Sequence, residues 1–267
     1  MLLLANWMAE HLLEIELVES LGLSRFGISK HVLALFAVAG LLALTFIPFG
    51  RRVAANVAPT GRLVNLLEAV LLFLRDEVAR PFLGKEGDRF LPVIWTFFFF
   101  ILYCNLLGLI PIPIPLDLIH NGHVVEDAMF GTVTATGQVW VTGTLAAIAA
   151  IWYHGLGIKS QGLVAYIRHL VPSGVALPLV PLIFVLEVVG HIVKPCALMI
   201  RLWANMTGGH AVLYSFLGFV FMAWWLAPVT VVAGIAVFCL EIFVAFLQAY
   251  VFTFLVVVFL GGALHPH

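Results

Sequence analysis

The stretch EVVGHIVKPCALMIRLWANMTGGH, residues 187–210, is long and apolar enough to cross a bilayer, yet it carries Glu187, His191, Lys194, Arg201, Asn205 and, at its end, His210. At a helical advance of about 100° per residue, the first five of these fall within roughly 80° of one another. One face of the segment is therefore ionisable and the remainder greasy. An ionised side chain at bilayer depth costs on the order of 3 kcal/mol on insertion scales. The stripe is expected to face protein or water, and charged groups retained at such a cost point to the passage of ions.

Composition excludes a soluble chain. Of 267 residues, 63% are hydrophobic and 10% charged, where soluble domains carry about a quarter charged. A net charge of −1 gives no footing for nucleic acid, and no run of lysine or arginine suggests a polybasic lipid anchor. Cys104, Cys196 and Cys239 lie in apolar segments with no CxxC spacing and read as small core residues rather than disulfides or metal ligands. The N-terminal MLLLANWMAEHLLEIELVES lacks a basic start and turns acidic, unlike a cleaved signal peptide.

The expected fold is all-α and membrane-integral: a single domain over 1–267 with about five membrane-embedded helices and one interfacial amphipathic helix. Residues 1–31 read as a surface segment and 32–50 as the first transmembrane helix. Residues 62–82 interrupt their leucines with Glu68, Arg75, Asp76, Glu77 and Arg80, so they are expected to lie along the interface. Spans follow at 90–111 and 138–157. Two longer segments, 176–207 and 226–263, exceed the roughly 20 residues a bilayer needs and are expected to tilt as a hairpin joined by GGHAVLYSFLGF. The 51–90 segment holds seven of the thirteen basic residues, which places it in the cytoplasm, the N-terminus outside and the C-terminus inside.

Chemistry concentrates in few side chains. A guanidinium cannot be deprotonated in a protein, so Arg201 is a fixed charge that a carboxylate can pair with but that relays no protons. The alternative is a structural arginine paired with Glu187 or Glu241. Glu241 and Gln248 lie seven apart and share a face of the last helix; desolvation disfavours the charged form of such a carboxylate, which suits a group that takes up and releases protons. An antiparallel hairpin brings His210 toward Glu241, either as a proton relay or as a hydrogen-bonded pair that holds the hairpin. Glu187 and His191, one turn apart, line an aqueous vestibule or pack, and Lys194 is expected to snorkel toward water. GLGIKS at 155–160 lacks phosphate-loop spacing and there is no HExxH. Haem ligation is disfavoured because His120, His123, His154, His169, His265 and His267 are placed in loops or tails.

RLWANMTGGH (201–210), preceded by Lys194-Pro195 and followed by EIFVAFLQAYVF (241–252), resembles subunit a of the F-type ATP synthase. The agreement extends upstream through FLRDEVARPFLGKEGDRFLPVIWTFFFFILYCNLLGLIP (73–111) and covers about 70–262. The resemblance implies a stator subunit of the membrane Fo sector in a bacterial inner membrane, not catalytic alone, with no cofactor. Its implied partners are the rotating c-ring, the peripheral-stalk b subunits and lipid. By position, Arg201 matches the family's essential arginine, Asn205 and Gln248 the polar residues beside it, and Glu187 the acidic residue of the cytoplasmic half-channel. His210 and Glu241 fall where some bacterial members carry Glu and His in the opposite order, which implies a paired function. TATGQVWVT (134–142) departs from the family's pattern at the outer inlet, with Gln138 and Trp140. A secondary ion or solute transporter is the competing class, although no internal repeat supports it.

Overall fold

A peptide backbone in hydrocarbon has no water to satisfy its polar groups, so a helix is the economical way across. The computed structural model describes residues 30–54, 61–110, 135–168, 179–222, 225 and 227–264, and these are helical apart from short turns. In chain order, α1 is Lys30–Ala54 and α2 is Arg62–Phe73. A π-helical turn, Leu74–Ala79, leads into the short α3, Arg80–Leu83. A 3₁₀ segment, Lys85–Phe90, opens α4, Leu91–Leu109. After a 3₁₀ turn at Ala135–Gly137 come α5, Val139–Gln161, and the short α6, Leu163–Arg168. The long α7, Val180–Met222, and α8, Ala227–Leu264, complete the order.

Five of these helices, α1, α4, α5, α7 and α8, are long and apolar enough to span a membrane. The chain is thus an all-helical, multi-pass membrane protein. Residues 62–83 are no span because their charges gather on one face. Leu71, Leu74, Val78, Ala79 and Leu83 are buried against the bundle, while Arg75, Asp76 and Arg80 carry exposed heads. The wider π-helical turn lets Arg75 and Arg80 converge on one carboxylate. Arg75 donates two bonds to Asp76 (2.9 and 3.0 Å), and Arg80 donates one to Asp76 (2.9 Å) and two to Asp88 (3.1 and 2.9 Å).

The core is aromatic and centred on α4. Phe97 meets Trp152 of α5 at 6.2 Å and Phe252 of α8 at 5.9 Å between ring centroids, and Phe46 of α1 meets Phe99 edge-on at 4.8 Å. Burial along α8 is uneven. Phe252, Val256, Val257 and Leu260 are enclosed, whereas Val229, Val232, Ile235 and Phe243 are exposed, as are Leu182, Val185, Ile192 and Ile200 of α7. One end of the bundle is closed tightly. Phe82 packs on Phe254 at 5.4 Å, Gln161 donates to the Ala263 carbonyl at 2.7 Å, and a Cβ on Gly157 would stand 2.7 Å from the Tyr166 ring and 3.1 Å from Ala263. This end bears Arg75, Arg80, Lys159 and Arg168; the opposite end holds Leu109, Met206 and Ala245.

Several expectations change. The helix expected to end at 207 continues to Met222, so GGHAVLYSFLGF is helix rather than a hairpin turn. Two glycines cost a helix roughly 1 kcal/mol each, too little to break it where each freed backbone group would stand in hydrocarbon. Cys104 is buried as expected, but Cys196 and Cys239 are exposed. His154 lies within α5, not in a loop. The surface segment expected at 1–31, apart from Lys30 and His31, falls outside the described residues, as does most of the stretch between the spans expected at 90–111 and 138–157.

The Arg75 hydrogen bonds hold the Asp76 carboxyl below its ordinary value of 3.8. Stability from this pairing is therefore complete above that value and is lost as pH falls through the lower folded-state pKa. Thermal unfolding in detergent between about pH 5 and pH 2 is expected to show this acid-side loss, and Asp76→Asn to flatten it.

Candidate functional site

The polar stripe of α7 lies on the rim of its buried face. Leu198, Leu202 and Met206 are the residues this stretch buries, and Arg201 and Asn205, displaced around the helix from them, remain exposed. Arg201 makes no hydrogen bond or ion pair among the described residues. The structural pairing with Glu187 or Glu241 considered above is therefore not seen among them, since Glu187 pairs instead with His191 and Lys194.

Asn205 turns toward α8, where its Nδ2 donates to Oε1 of Gln248 at 2.8 Å. Gln248 is 4% exposed, and its Nε2 has no hydrogen-bond partner among the described residues. Two turns along the same face, Glu241 is 9% exposed. A Cβ on Gly209 would sit 2.7 Å from Oε1 of Glu241, so the glycine lets α7 approach the carboxylate. This places the α7 backbone beside His210 against Glu241; the His210 side chain lies outside the described residues.

Between α4, α7 and α8 opens a cavity of about 20 Å³ measured at water centres, lined by Asn105, Leu202, Asn205, Glu241, Ala245 and Gln248, with Leu109, Met206 and Val244. That is room for about one water. Asn105, 1% exposed, donates to the Ala245 carbonyl at 3.4 Å and accepts from the Thr136 hydroxyl at 2.8 Å. Thr207 in turn donates to the Gly137 carbonyl at 3.4 Å. The 135–137 turn is thereby tied to both α4 and α7. The departure noted at 134–142 still supplies a hydroxyl, Thr136, that donates to Asn105 of the cavity lining.

A second cluster occupies the basic end. Nδ1 of His191 donates to the Glu187 carbonyl at 2.8 Å, and the Glu187 carboxylate stands 3.7 Å from His191 and 3.6 Å from Lys194. Lys194 also lies 5.6 Å over the Phe259 ring, with its side chain 36% exposed. His154 of α5 faces His191 at 5.1 Å between ring centroids, and its Nδ1 is 2.6 Å from the Tyr166 hydroxyl. Burial, and then the Glu187 carboxylate, hold the Tyr166 phenol above its ordinary value of 10.0.

At a rise of 1.5 Å per residue, Glu187 and Arg201 are roughly 21 Å apart along α7, and Arg201 and Gly209 roughly 12 Å. Of the expected site residues, the fold joins Asn205 with Gln248 and Glu187 with His191, sets Glu241 on the shared cavity and leaves Arg201 exposed between the two groups. Sequence reasoning missed Asn105, Thr136, His154 and Tyr166. An amide within FFFFILYCNLLGL is a readable signal for Asn105; the other three gain meaning only from contacts across helices.

A bundle of long apolar helices with buried amide and carboxyl side chains around one small cavity defines a polytopic membrane protein. Residues 31–261 match the family described as ATP synthase A chain, and the chain belongs to that family. It is 38% identical over 242 residues to ATP synthase subunit a of Chloroherpeton thalassium, which covers 88% of this chain and 66% of that relative. It is 39% identical over 237 residues to ATP synthase subunit a of Myxococcus xanthus, covering 88% and 72%. ATP synthase subunit a 2 of Chlorobaculum tepidum is 38% identical, covering 88% and 63%. The chain spans about two thirds of the length of these curated relatives.

Asn105→Leu leaves the buried Thr136 hydroxyl without its acceptor, at a cost of about 1–3 kcal/mol. A lowered unfolding temperature in detergent is the expected readout, with Asn105→Gln closer to the parent.

Proposed function

We propose that this chain is the stator proton channel of a rotary ATP synthase in a bacterial inner membrane, N-terminus outside and C-terminus cytoplasmic. The observation that carries the reading is Arg201: an exposed cation on an apolar helix, with no ion-pair partner among the described residues, between two separate titratable clusters. A permanent charge at that depth is too costly to leave facing lipid. A carboxylate on a second chain supplies the counter-charge, and the uncovered apolar faces of α7 and α8 suit a ring of small helical subunits as that chain.

The two clusters act as offset half-channels. Protons enter from the outer side past Thr136, Asn105, His210 and Glu241 and neutralise a ring carboxylate. Once neutral, that site can move into hydrocarbon, because the charge is what hydrocarbon excludes. After rotation it loses its proton toward Glu187 and His191 and the cytoplasm. Arg201 then pairs with the bare carboxylate, and the fixed cation between the halves repels a proton that would cross without rotation. Asn205 and Gln248 hold each other beside that passage, and Nε2 of Gln248, without a partner among the described residues, is a donor for the passing carboxylate. ATP chemistry belongs to other subunits; this chain couples ion flow to movement, with peripheral-stalk b subunits as further partners.

Arg201→Ala is expected to abolish proton-driven ATP synthesis by the assembled complex in membrane vesicles, and normal synthesis by that variant overturns the reading. Glu241→Gln is expected to reduce proton flux more than Glu187→Gln, measured as acidification of the same vesicles. Equal and negligible effects remove Glu241 from the path.

A further inference from the structure

The proposed function passes a proton over His191 and Glu187 and gives no part to His154 or Tyr166, which adjoin them. α7 begins at the basic end, so Glu187 lies nearer that end than His191, one turn deeper, and is the more exposed side chain, 43% against 23%. Nδ1 of His191 donates to the Glu187 carbonyl at 2.8 Å, which keeps a proton on that nitrogen and leaves Nε2 as the basic one. A single hydrogen bond still lets an imidazole swing about it. The ring of His154, on α5, closes that freedom by packing on His191 at 5.1 Å between centroids, tilted by 32°. His154 is itself held at two points. Tyr153 flanks its ring at 4.3 Å between centroids, and the Tyr166 hydroxyl of α6 meets its Nδ1 at 2.6 Å. Gly157 admits the Tyr166 ring, since a Cβ there would stand 2.7 Å from it.

We infer that His154 is a positioning residue of the proton exit: a neutral ring, tied down by Tyr166, that fixes the imidazole of His191 beside Glu187 and carries no proton of its own to water. The inference rests on the half-channel reading of Glu187 and His191. A phenol donates more readily than it accepts, so the Tyr166 hydroxyl occupies the Nδ1 lone pair of His154 and the ring's own proton sits on Nε2. An added proton would need that lone pair, and the hydrogen bond therefore holds the ring neutral. His191 needs that neutrality from a ring 5.1 Å away, because two imidazolium rings at this distance repel and a charge on His154 would drive the proton off its neighbour. His191 takes up the proton of a ring carboxylate at Nε2, the Glu187 carboxylate 3.7 Å away stabilises the imidazolium, and the same proton is then given up to water at the basic end.

The titratable and charged groups around His154 are Tyr153 on its own helix, Tyr166 on α6, and His191, Glu187 and Lys194 on α7; α8 presents the Phe259 ring, which meets Tyr153 and underlies Lys194. Among the described residues Glu187 is the one carboxylate in this group, and it is shared between Lys194 at 3.6 Å and His191 at 3.7 Å. None is left to stabilise a second imidazolium.

The test uses the assembled complex in inverted vesicles, whose cytoplasmic face is open to the medium, with each variant compared with wild type at the same pH and subunit level. His154→Ala is expected to slow proton-driven ATP synthesis several-fold, and His154→Phe, which keeps a ring against His191 but cannot titrate, to run near the wild-type rate. Tyr166→Phe frees the Nδ1 lone pair, so its rate is expected to fall further than that of wild type as the medium is made more acid. The double variant Tyr166→Phe/His154→Phe, with no imidazole left at that position, is expected to return the wild-type pH profile. A wild-type rate in His154→Ala overturns the inference, and so does an equal loss in His154→Phe and His154→Ala, which would make the imidazole itself a proton carrier. Should His154→Ala fail to accumulate, the Tyr166 variants decide, and an unchanged pH profile in Tyr166→Phe overturns the inference. Glu187→Gln, measured in parallel, separates the two claims. If it is slow while His154→Ala is not, only this inference falls; if it runs at the wild-type rate, the half-channel reading of Glu187 falls first.

Discussion

A charge in hydrocarbon has nowhere to put its field, and the arrangement of this bundle follows from that cost. The polar stripe of α7 is neither buried in the core nor turned fully outward. It runs along the edge of the face that carries Leu198, Leu202 and Met206. From that edge Asn205 reaches Gln248 across the helix interface, Glu187 gathers His191 and Lys194 on its own helix, and Arg201 stands exposed between them. Each polar group except the arginine thus meets protein, and the arginine is the group whose charge cannot be titrated away.

The aromatic packing around α4 is what makes that edge possible. With Phe97, Phe98, Phe99 and Ile101 buried in the aromatic core, one face of the second half of α8 is buried along its length. The first half of α8 and much of α7 stay uncovered on their apolar sides. Close approach is confined to a few small residues. Gly209 lets α7 meet the Glu241 carboxylate, and Gly157 lets α5 meet Tyr166 and Ala263. In both places the missing Cβ brings a polar side chain to an otherwise apolar seam.

The number of spans, the charged and therefore non-spanning character of 62–82 and the one-sided placement of Glu187, His191, Arg201 and Asn205 were legible in the chain. Each depends on local periodicity and on the composition of windows about as long as a bilayer is thick. The end of α7 was not. Gly208 and Gly209 resemble a stop signal, and only the continuing apolar run and its neighbours keep the backbone helical to Met222. Arg201 was recognisable as a lone cation, but its separation from Glu187 and Glu241 depends on where α8 and Lys194 sit. His154 was grouped with the loop histidines although it falls inside the span expected at 138–157, and the structure places it within α5.

What the amino-acid order determined alone is a set of apolar helices, one of them striped with charge, because helix period and the cost of exposed backbone in lipid act within a single segment. The cavity shared by Asn105, Gln248 and Glu241, the Thr136 hydroxyl that donates to Asn105, and the meeting of His154 with both Tyr166 and His191 were decided by tertiary packing. These groups are separated by tens of residues in the chain. A hydrogen bond selects its partner by distance and angle, and only the crossing of particular helices brings those donors and acceptors within reach.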